Sequence, residues 1–369
     1  MLANAKRVVI KVGSSLIADE GKGEVRLDWL AALAEDIHVL VKKGKEVIVV
    51  TSGAVALGRM QLGMKAKAKL HLEEKQAAAA CGQIALFAAW REALAWHGIK
   101  VGQLLLTADD SIHRRRYLNA RNTIETLLEC SAIPIINEND TVATAEIRFG
   151  DNDRLAARVA QMAGADVLVL LSDIDGLYTD DPNTNRDAKF ISEVKQISGE
   201  IEGMAGGSAS AVGSGGMITK IGAAKIATAA GCHMVIAKGS DTHPLQLLMQ
   251  GGKHTLFHAE GNPYNARKNW IAGSVHPAGN LVVDDGAAKA LKSGKSLLPA
   301  GVVKVEGEFD RGDTVQVRDM NGVALAKGLI AYSSDDARLI MGKRSDEIEA
   351  ALGFKRRDVL IHRDDMVME

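Results

Sequence analysis

A succession of short apolar runs, each leaving into small or polar residues, constrains this chain more than any other feature. Val8, Val9, Ile10 and Val12 exit into Gly13-Ser14-Ser15, and residues 46–51 exit into Ser52-Gly53-Ala54. Residues 133–136 lead into Asn137-Glu138-Asn139-Asp140-Thr141, and 167–171 into Ser172-Asp173. Residues 100–107 and 233–237 read as further strands. Segments of helical period lie between them: 28–43, closed by Gly44; 73–97, rich in alanine and interrupted at Gly82; 114–129; 154–162; and 218–230. Strand–helix–strand alternation predicts an α/β fold with a mainly parallel sheet and helices on its faces. The unbroken apolar run at 167–171 predicts a strand buried on both faces. In such sheets ligands bind beyond the carboxyl ends of the strands, where these exits collect.

Residues 211–220, Ala-Val-Gly-Ser-Gly-Gly-Met-Ile-Thr-Lys, form a glycine-rich loop that feeds a helix. Gly213, Gly215 and Gly216 permit positive φ and a close backbone approach to a ligand. The free N–H groups and dipole of the helix start favour a phosphate. Lys220, in the first turn, opposes that dipole and points to an anion. Lys11 near the end of an apolar strand is costly to bury without a partner. It reads as a phosphate contact or as a lysine escaping at the strand end. Ser52 reads as a substrate contact or an N-cap. Asp153, in Gly150-Asp151-Asn152-Asp153, reads as a cap at or near the helix start or as a group holding two lysines. Asp140 suits an ammonium and Asn137 a carboxylate, so this exit fits a small zwitterion.

Net charge is −1 and only 4% of residues are aromatic, so no global field attracts nucleic acid. No apolar run is long enough to cross a bilayer, and no signal peptide is evident, which predicts a cytoplasmic protein. Cys81, Cys130 and Cys232 are far apart and fit buried thiols better than a disulfide frame or a zinc site. His254 and His258 lie four apart in an extended stretch without HExxH, so no metal site is expected there. At 369 residues two domains are natural. The pattern weakens through Gly, Asn, Pro and His around 251–279. Beyond it, short strands punctuated by glycine predict a small β-rich barrel or sandwich. Residues 276–369 carry 14 Lys and Arg against 16 Asp and Glu, no footprint for RNA. GxxxxGK[ST], a GxGxxG opening a βαβ unit, and the HRD and DFG elements are all absent.

Taken in order, Val9-Ile10-Lys11-Val12-Gly13-Ser14, Thr51-Ser52-Gly53-Ala54, Pro134-Ile135-Ile136-Asn137-Glu138-Asn139-Asp140, Gly150-Asp151-Asn152-Asp153, Ser172-Asp173-Ile174-Asp175-Gly176-Leu177-Tyr178 and Gly213-Ser214-Gly215-Gly216-Met217 with Lys220 resemble the amino acid kinase family. Within it they resemble the members that phosphorylate glutamate. The resemblance covers about residues 6–258, and the tail from about Asn280 is similar to a PUA domain. It implies a three-layer αβα sandwich at 1–260, a linker at 261–279 and a PUA-like domain at 280–369. It implies transfer from ATP, with Mg²⁺, to the γ-carboxylate of L-glutamate, on the route to proline. By resemblance Lys11 and Lys220 flank the transferring phosphoryl and Asp153 orients them. Ser52, Gly53, Asp140 and Asn152 hold glutamate, with Asn137 close by. Lys11, Ser172, Asp173 and the loop Ser214, Gly215, Gly216, Met217, Ile218, Thr219 and Lys220 take the nucleotide. The family also implies inhibition by proline, a homo-oligomer (tetramer or dimer) and coupling to glutamyl phosphate reductase. Aspartate, acetylglutamate, carbamate and uridylate kinases are the alternatives within the fold. An RNA-binding protein is a different class, opposed by the charge balance. A silent amino acid sensor would lack Lys11, Lys220 or Asp153, and all three are present.

Overall fold

The computed structural model describes residues 1–19, 21–65, 70–144, 149, 151–206, 216–262, 277–355 and 357–369. Its main sheet comprises β1 (Arg7–Val12), β2 (Glu46–Val50), β3 (Lys100–Leu106), β4 (Ala132–Glu138), β5 (Val167–Ser172), β6 (Glu193–Val194), β7 (His233–Lys238) and β8 (His254–Phe257). The spatial order is β6-β8-β7-β5-β1-β2-β4-β3, parallel throughout except for the antiparallel pair β7 and β8. From β1 the chain builds outward first through β2, then to the other side through β5. The edge beyond β1 is therefore a topological switch point, where an open α/β sheet forms its crevice.

Alternation along the strands divides the core in two. Val8, Ile10 and Val12 pack with Leu33, Ile37 and Leu40 of α1 (Leu27–Lys42) on one face. Val9 packs with Leu155 and Val159 on the other. Those residues belong to α5 (Asn152–Ala163), which lies on that face with α6 (Met217–Ala229). Each fully buried aliphatic side chain contributes roughly 1.5–3 kcal/mol. Helices on both faces of one sheet give the three layers expected.

The helix expected over 73–97 runs without a break as α3 (Leu72–Ala95). Gly82 does not interrupt it. A Cβ on Gly82 would lie 1.9 Å from the Ala54 carbonyl oxygen, and one on Gly58 would lie 1.7 Å from that of Ala78. Both glycines exist so that α3 and α2 (Ala54–Gln61) can meet backbone to backbone. The cost of glycine inside a helix, about 1 kcal/mol against alanine, is offset by that contact. It pins the start of α2, and with it Ser52 and Gly53 at the exit of β2.

Contacts divide the chain into two units, Met1–Pro263 and Tyr264–Glu369. The linker expected at 261–279 falls largely outside the described residues. The second unit holds one five-stranded sheet formed by β9 (Gly279–Val283), β10 (Val302–Gly307), β11 (Thr314–Arg318), β12 (Ala324–Leu329) and β13 (Met366–Met368). Its order is β10-β9-β11-β12-β13, with β9 and β11 parallel. Its core includes Leu281, Val317, Tyr332 and Ile361. Glycine spacing predicted the strands but not the helices Asp285–Lys292 and Ser334–Ile340, which are too short for a clear periodic signal. The expectation of three buried thiols is corrected: Cys232 is buried, Cys81 partly so, and Cys130 is exposed.

Candidate functional site

Lys11 lies one residue before the end of β1, between Val50 of β2 and Leu170 of β5. Its Nζ is 2.7 Å from Asp153 Oδ1, and Lys220 Nζ from α6 is 2.9 Å from Asp153 Oδ2. All three groups are buried. Asp153 is therefore not the helix cap. That place belongs to Asp151, whose Oδ1 accepts from the Arg154 amide at 2.8 Å. Asp153 sits one step inside the helix. Burial pushes its carboxyl up, but the attraction of Lys11 and Lys220 and their hydrogen bonds outweigh this and hold it below the usual carboxylate range. Asp151 shifts the opposite way: burial raises it, and the charge of Asp153 adds to that against the Arg154 hydrogen bond. Two buried ammonium groups thus meet on one carboxylate in the wall of a cleft.

A second polar cluster lies at the exits of β2 and β4. Asn152 Nδ2 is within hydrogen-bond reach of the Thr51 carbonyl at 2.6 Å, Ser52 Oγ at 2.8 Å and Asn137 Oδ1 at 2.9 Å. Asn137 Nδ2 donates to Gln83 Oε1 on α3 at 2.8 Å. Trp90 Nε1, one layer deeper, donates to Thr51 Oγ1 at 3.1 Å. Ser52 is not an N-cap. Gly53 takes that position at φ +105°, a conformation that strains a residue bearing a Cβ. Asn137, expected to donate to a carboxylate, instead has both ends of its amide engaged by Gln83 and Asn152.

Both clusters line one cleft of about 570 Å³. The structure brings Lys11, Ser52, Gly53, Asn137, Asp140, Asn152, Asp153, Ser172, Asp173, Gly216 and Lys220 to its wall. Ser172 Oγ donates to Asp173 Oδ1 at 2.8 Å. Met217, Ile218 and Thr219 do not line the cleft. Met217 packs against the core, Ile218 is exposed, and Thr219 Oγ1 lies 2.8 Å from the Gly216 carbonyl and 3.3 Å from Asp153 Oδ2, beside the triad. Gly213, Ser214 and Gly215 lie outside the described residues. The expectation of positive φ at Gly216 is corrected: it caps α6 at φ −63°, ψ 174°. Sequence reasoning missed Arg59, Asp151 and Glu138 as lining residues. Glu138 Oε1 accepts from the Phe149 amide, and its place in the Asn-Glu-Asn-Asp exit was the available signal. Among the described residues that line the cleft there is no histidine, and the side chains gathered there are lysines, carboxylates, amides and serines.

A profile described as the amino acid kinase family matches residues 6–238, and one described as the PUA domain matches residues 279–352. The chain belongs to the amino acid kinase family. Among curated relatives of this amino acid kinase, the glutamate 5-kinase of Paramagnetospirillum magneticum is 61% identical over 368 residues, covering 100% of this chain and 99% of that protein. The glutamate 5-kinase of Agrobacterium fabrum is 58% identical over 367 residues, covering 100% and 94%. Among solved structures, carbamate kinase from Giardia lamblia bound to AMP-PNP superposes with a TM-score of 0.51 at 17% identity, over 70% of this chain and 100% of that one. That likeness shows the shared fold. Among the described residues of this kinase, no helix is long and apolar enough to cross a membrane.

Proposed function

We propose that this chain transfers the γ-phosphoryl group of ATP to the γ-carboxylate of L-glutamate, giving L-glutamate 5-phosphate and ADP in the first step of proline synthesis. The observation that carries the reading is the Lys11–Asp153–Lys220 triad in the same cleft as Asp140, Asn152 and Ser52. The full-length identity to glutamate 5-kinases selects glutamate among the family's substrates.

A glutamate γ-carboxyl has a pKa of about 4.3 and is already ionised at neutral pH. A carboxylate oxygen attacks the γ-phosphorus, the bond to the β–γ bridging oxygen breaks, and ADP carries away that electron pair. No proton has to be removed, which suits a cleft with no histidine among its described lining residues. The chain's task is to bring two anions together in line and neutralise charge on the phosphoryl oxygens. Lys11 and Lys220 do this from opposite sides, held by Asp153. Asp140 takes the α-ammonium, and Ser52, Gly53 and Asn152 orient the rest of glutamate. Ser172, Asp173 and the loop from Ser214 to Lys220 take the nucleotide.

Among the described residues, no three acidic, histidine or cysteine side chains converge on a metal position. The cleft carboxylates Asp151 and Asp173 fit a Mg²⁺ held mainly by the nucleotide's phosphates, the usual mode for this ion. Bound there, Mg²⁺ supplies further neutralisation of phosphate charge.

The reading includes domains at 1–260 and 280–369 joined by a linker, a homo-oligomer in the cytoplasm, and delivery of the reactive product to glutamyl phosphate reductase. Proline inhibition belongs to it too, since the cleft groups that fit glutamate's α-ammonium and α-carboxylate fit proline's as well. An ADP-release assay across glutamate, aspartate, N-acetylglutamate, carbamate and UMP tests the substrate. Turnover with glutamate alone supports it, and turnover with another acceptor and none with glutamate overturns it. Proline inhibition that does not weaken as glutamate rises overturns the shared site.

A further inference from the structure

The amide chain behind the amino-acid end of the cleft has a fixed direction. A backbone carbonyl accepts and never donates, so Thr51 O, 2.6 Å from the Asn152 amide, requires Nδ2 there. The same Nδ2 faces Asn137, 2.9 Å away, which must present Oδ1. Asn137 then has Nδ2 at its other end, 2.8 Å from Gln83, which must present Oε1. Reversing any one amide sets two donors or two acceptors against each other. Asn152 is left with Oδ1 as its remaining group, an acceptor. Ser52, whose oxygen accepts from Asn152, is left with a hydroxyl proton to donate.

We propose that Gln83 is a positioning residue for the amino-acid site, the terminal acceptor that holds Asn137 and, together with the Thr51 carbonyl at the other end of the chain, keeps Asn152 in the orientation that presents an oxygen to a substrate ammonium. Gln83 does not line the cleft. It reaches Asn137 because the Gly58–Gly82 contact lets α3 approach the exit of β2, and Gln83 follows Gly82 directly. Asn137 is 3% exposed, so without Gln83 Oε1 its amide protons would not find water readily. Its flip would no longer be selected by the helix. The consequence is selectivity for a free amine: an N-acylated amino acid offers one amide proton and a bulky carbonyl where Asp140 and Asn152 call for an ammonium.

This proposal rests on the reading of the cleft as a glutamate kinase site, and wild-type turnover with glutamate checks that reading separately. Three variants test Gln83 itself. Gln83→Glu keeps an acceptor at the same reach, Gln83→Met removes it, and Gln83→Lys supplies donors only. Loss of a buried hydrogen-bond partner predicts a rise of about tenfold in the KM for glutamate in the Met and Lys variants. The KM for ATP is expected to hold, kcat to change less, and Gln83→Glu to stay near wild type. A Gln83→Met enzyme with wild-type glutamate KM overturns the proposal. So does a Gln83→Glu enzyme as impaired as the Met variant, or a joint rise in the KM values for ATP and glutamate, since either describes a packing role. Should the Met variant fail to fold, the Lys and Glu variants decide the same question.

Discussion

Asn152 and Asp153 are neighbours in the first turn of α5, yet they join two different polar clusters of the cleft wall by different physics. Asp153 works by charge: it sits between Lys11 and Lys220 at 2.7 and 2.9 Å, in a place where each ammonium is buried. Asn152 works by direction: its neutral amide joins Thr51, Ser52 and Asn137 in a chain that ends on the Thr51 carbonyl at one side and Gln83 Oε1 at the other. Buried charge is expensive to strand, so the ionic end should be brittle in stability and rate. A neutral amide chain costs less to break, and its loss should register in substrate affinity. The contrast suits the reaction we propose, in which the lysine cluster would handle charge that shifts during transfer and the amide cluster would only hold a zwitterion still.

The largest effect is expected from Asp153→Asn. Removing one partner from a buried ion pair typically costs about 3–5 kcal/mol, because charge is left behind without a partner. Asp153 is paired with two buried ammonium groups, and urea unfolding should show the loss. ATP should recover more stability in this variant than in wild type by supplying the missing anion. Equal stabilisation by ATP in both would break the idea that the triad holds a place for phosphate. Next come Lys220→Ala and Lys11→Ala. Deleting one preorganised donor at a transition state costs roughly 10²–10³ in rate, so kcat should fall by that factor while the KM for glutamate changes little. A wild-type kcat in either variant would remove it from the phosphoryl end.

At the amide end, Asn152→Ala should raise the KM for glutamate by about tenfold, in line with 1–3 kcal/mol for a lost buried hydrogen bond, with a smaller fall in kcat. A kcat loss as large as that of Lys220→Ala would erase the distinction between the two ends. Gly82→Ala probes the scaffold beneath them. Its Cβ would meet the Ala54 carbonyl oxygen at 1.9 Å, and overpacking of this kind costs about 1–3 kcal/mol. Moving α2 away from α3 shifts Ser52 and Gly53, so the glutamate KM should rise along with the loss in stability. The ATP KM should hold.

The strand exits were legible because an apolar run ending in Lys-Val-Gly-Ser or Asn-Glu-Asn-Asp has few uses at a buried sheet edge. Lys11 and Asn137 were read from that signal, Lys220 from the glycine-rich loop that feeds its helix, and Asn152 from the family resemblance; all four stand in the cleft wall. What escaped was long-range packing. Gly82 inside an alanine-rich helix reads as a breaker, and only the presence of Gly58 and Ala54 across from it shows otherwise. Gln83 carries no signal of its own, since a glutamine on a helix is ordinarily a solvated surface residue. Asp153 read as a cap because the helix was expected to open at Arg154; it opens at Asn152, which gives the cap to Asp151. Of Met217, Ile218 and Thr219, which follow the glycine loop, Thr219 reaches the triad, its hydroxyl 3.3 Å from Asp153 Oδ2, a contact that shows only once the two helices are packed.

The two carboxylates of that turn also give the comparison its smallest and most specific test, because they titrate in opposite directions. Asp153 is held below the usual carboxylate range, so its contribution to stability is fully present above the unfolded value of about 3.9 and is lost as pH falls through its own lower value. Asp151 is raised by burial and by the charge of Asp153, so its preference for the folded state is complete below the unfolded value and fades as pH rises through its higher one. Urea midpoints measured from neutral pH into acid should therefore show the Asp153→Asn protein losing less on acidification than wild type. Asp151→Asn should remove the opposing slope at the upper end of the carboxylate range. Asn152→Ala, with no titrating group changed, should run parallel to wild type throughout. If the Asp153→Asn curve also ran parallel to wild type, the carboxylate would not be the charged centre of the triad, and the ionic end of the cleft would need a different account.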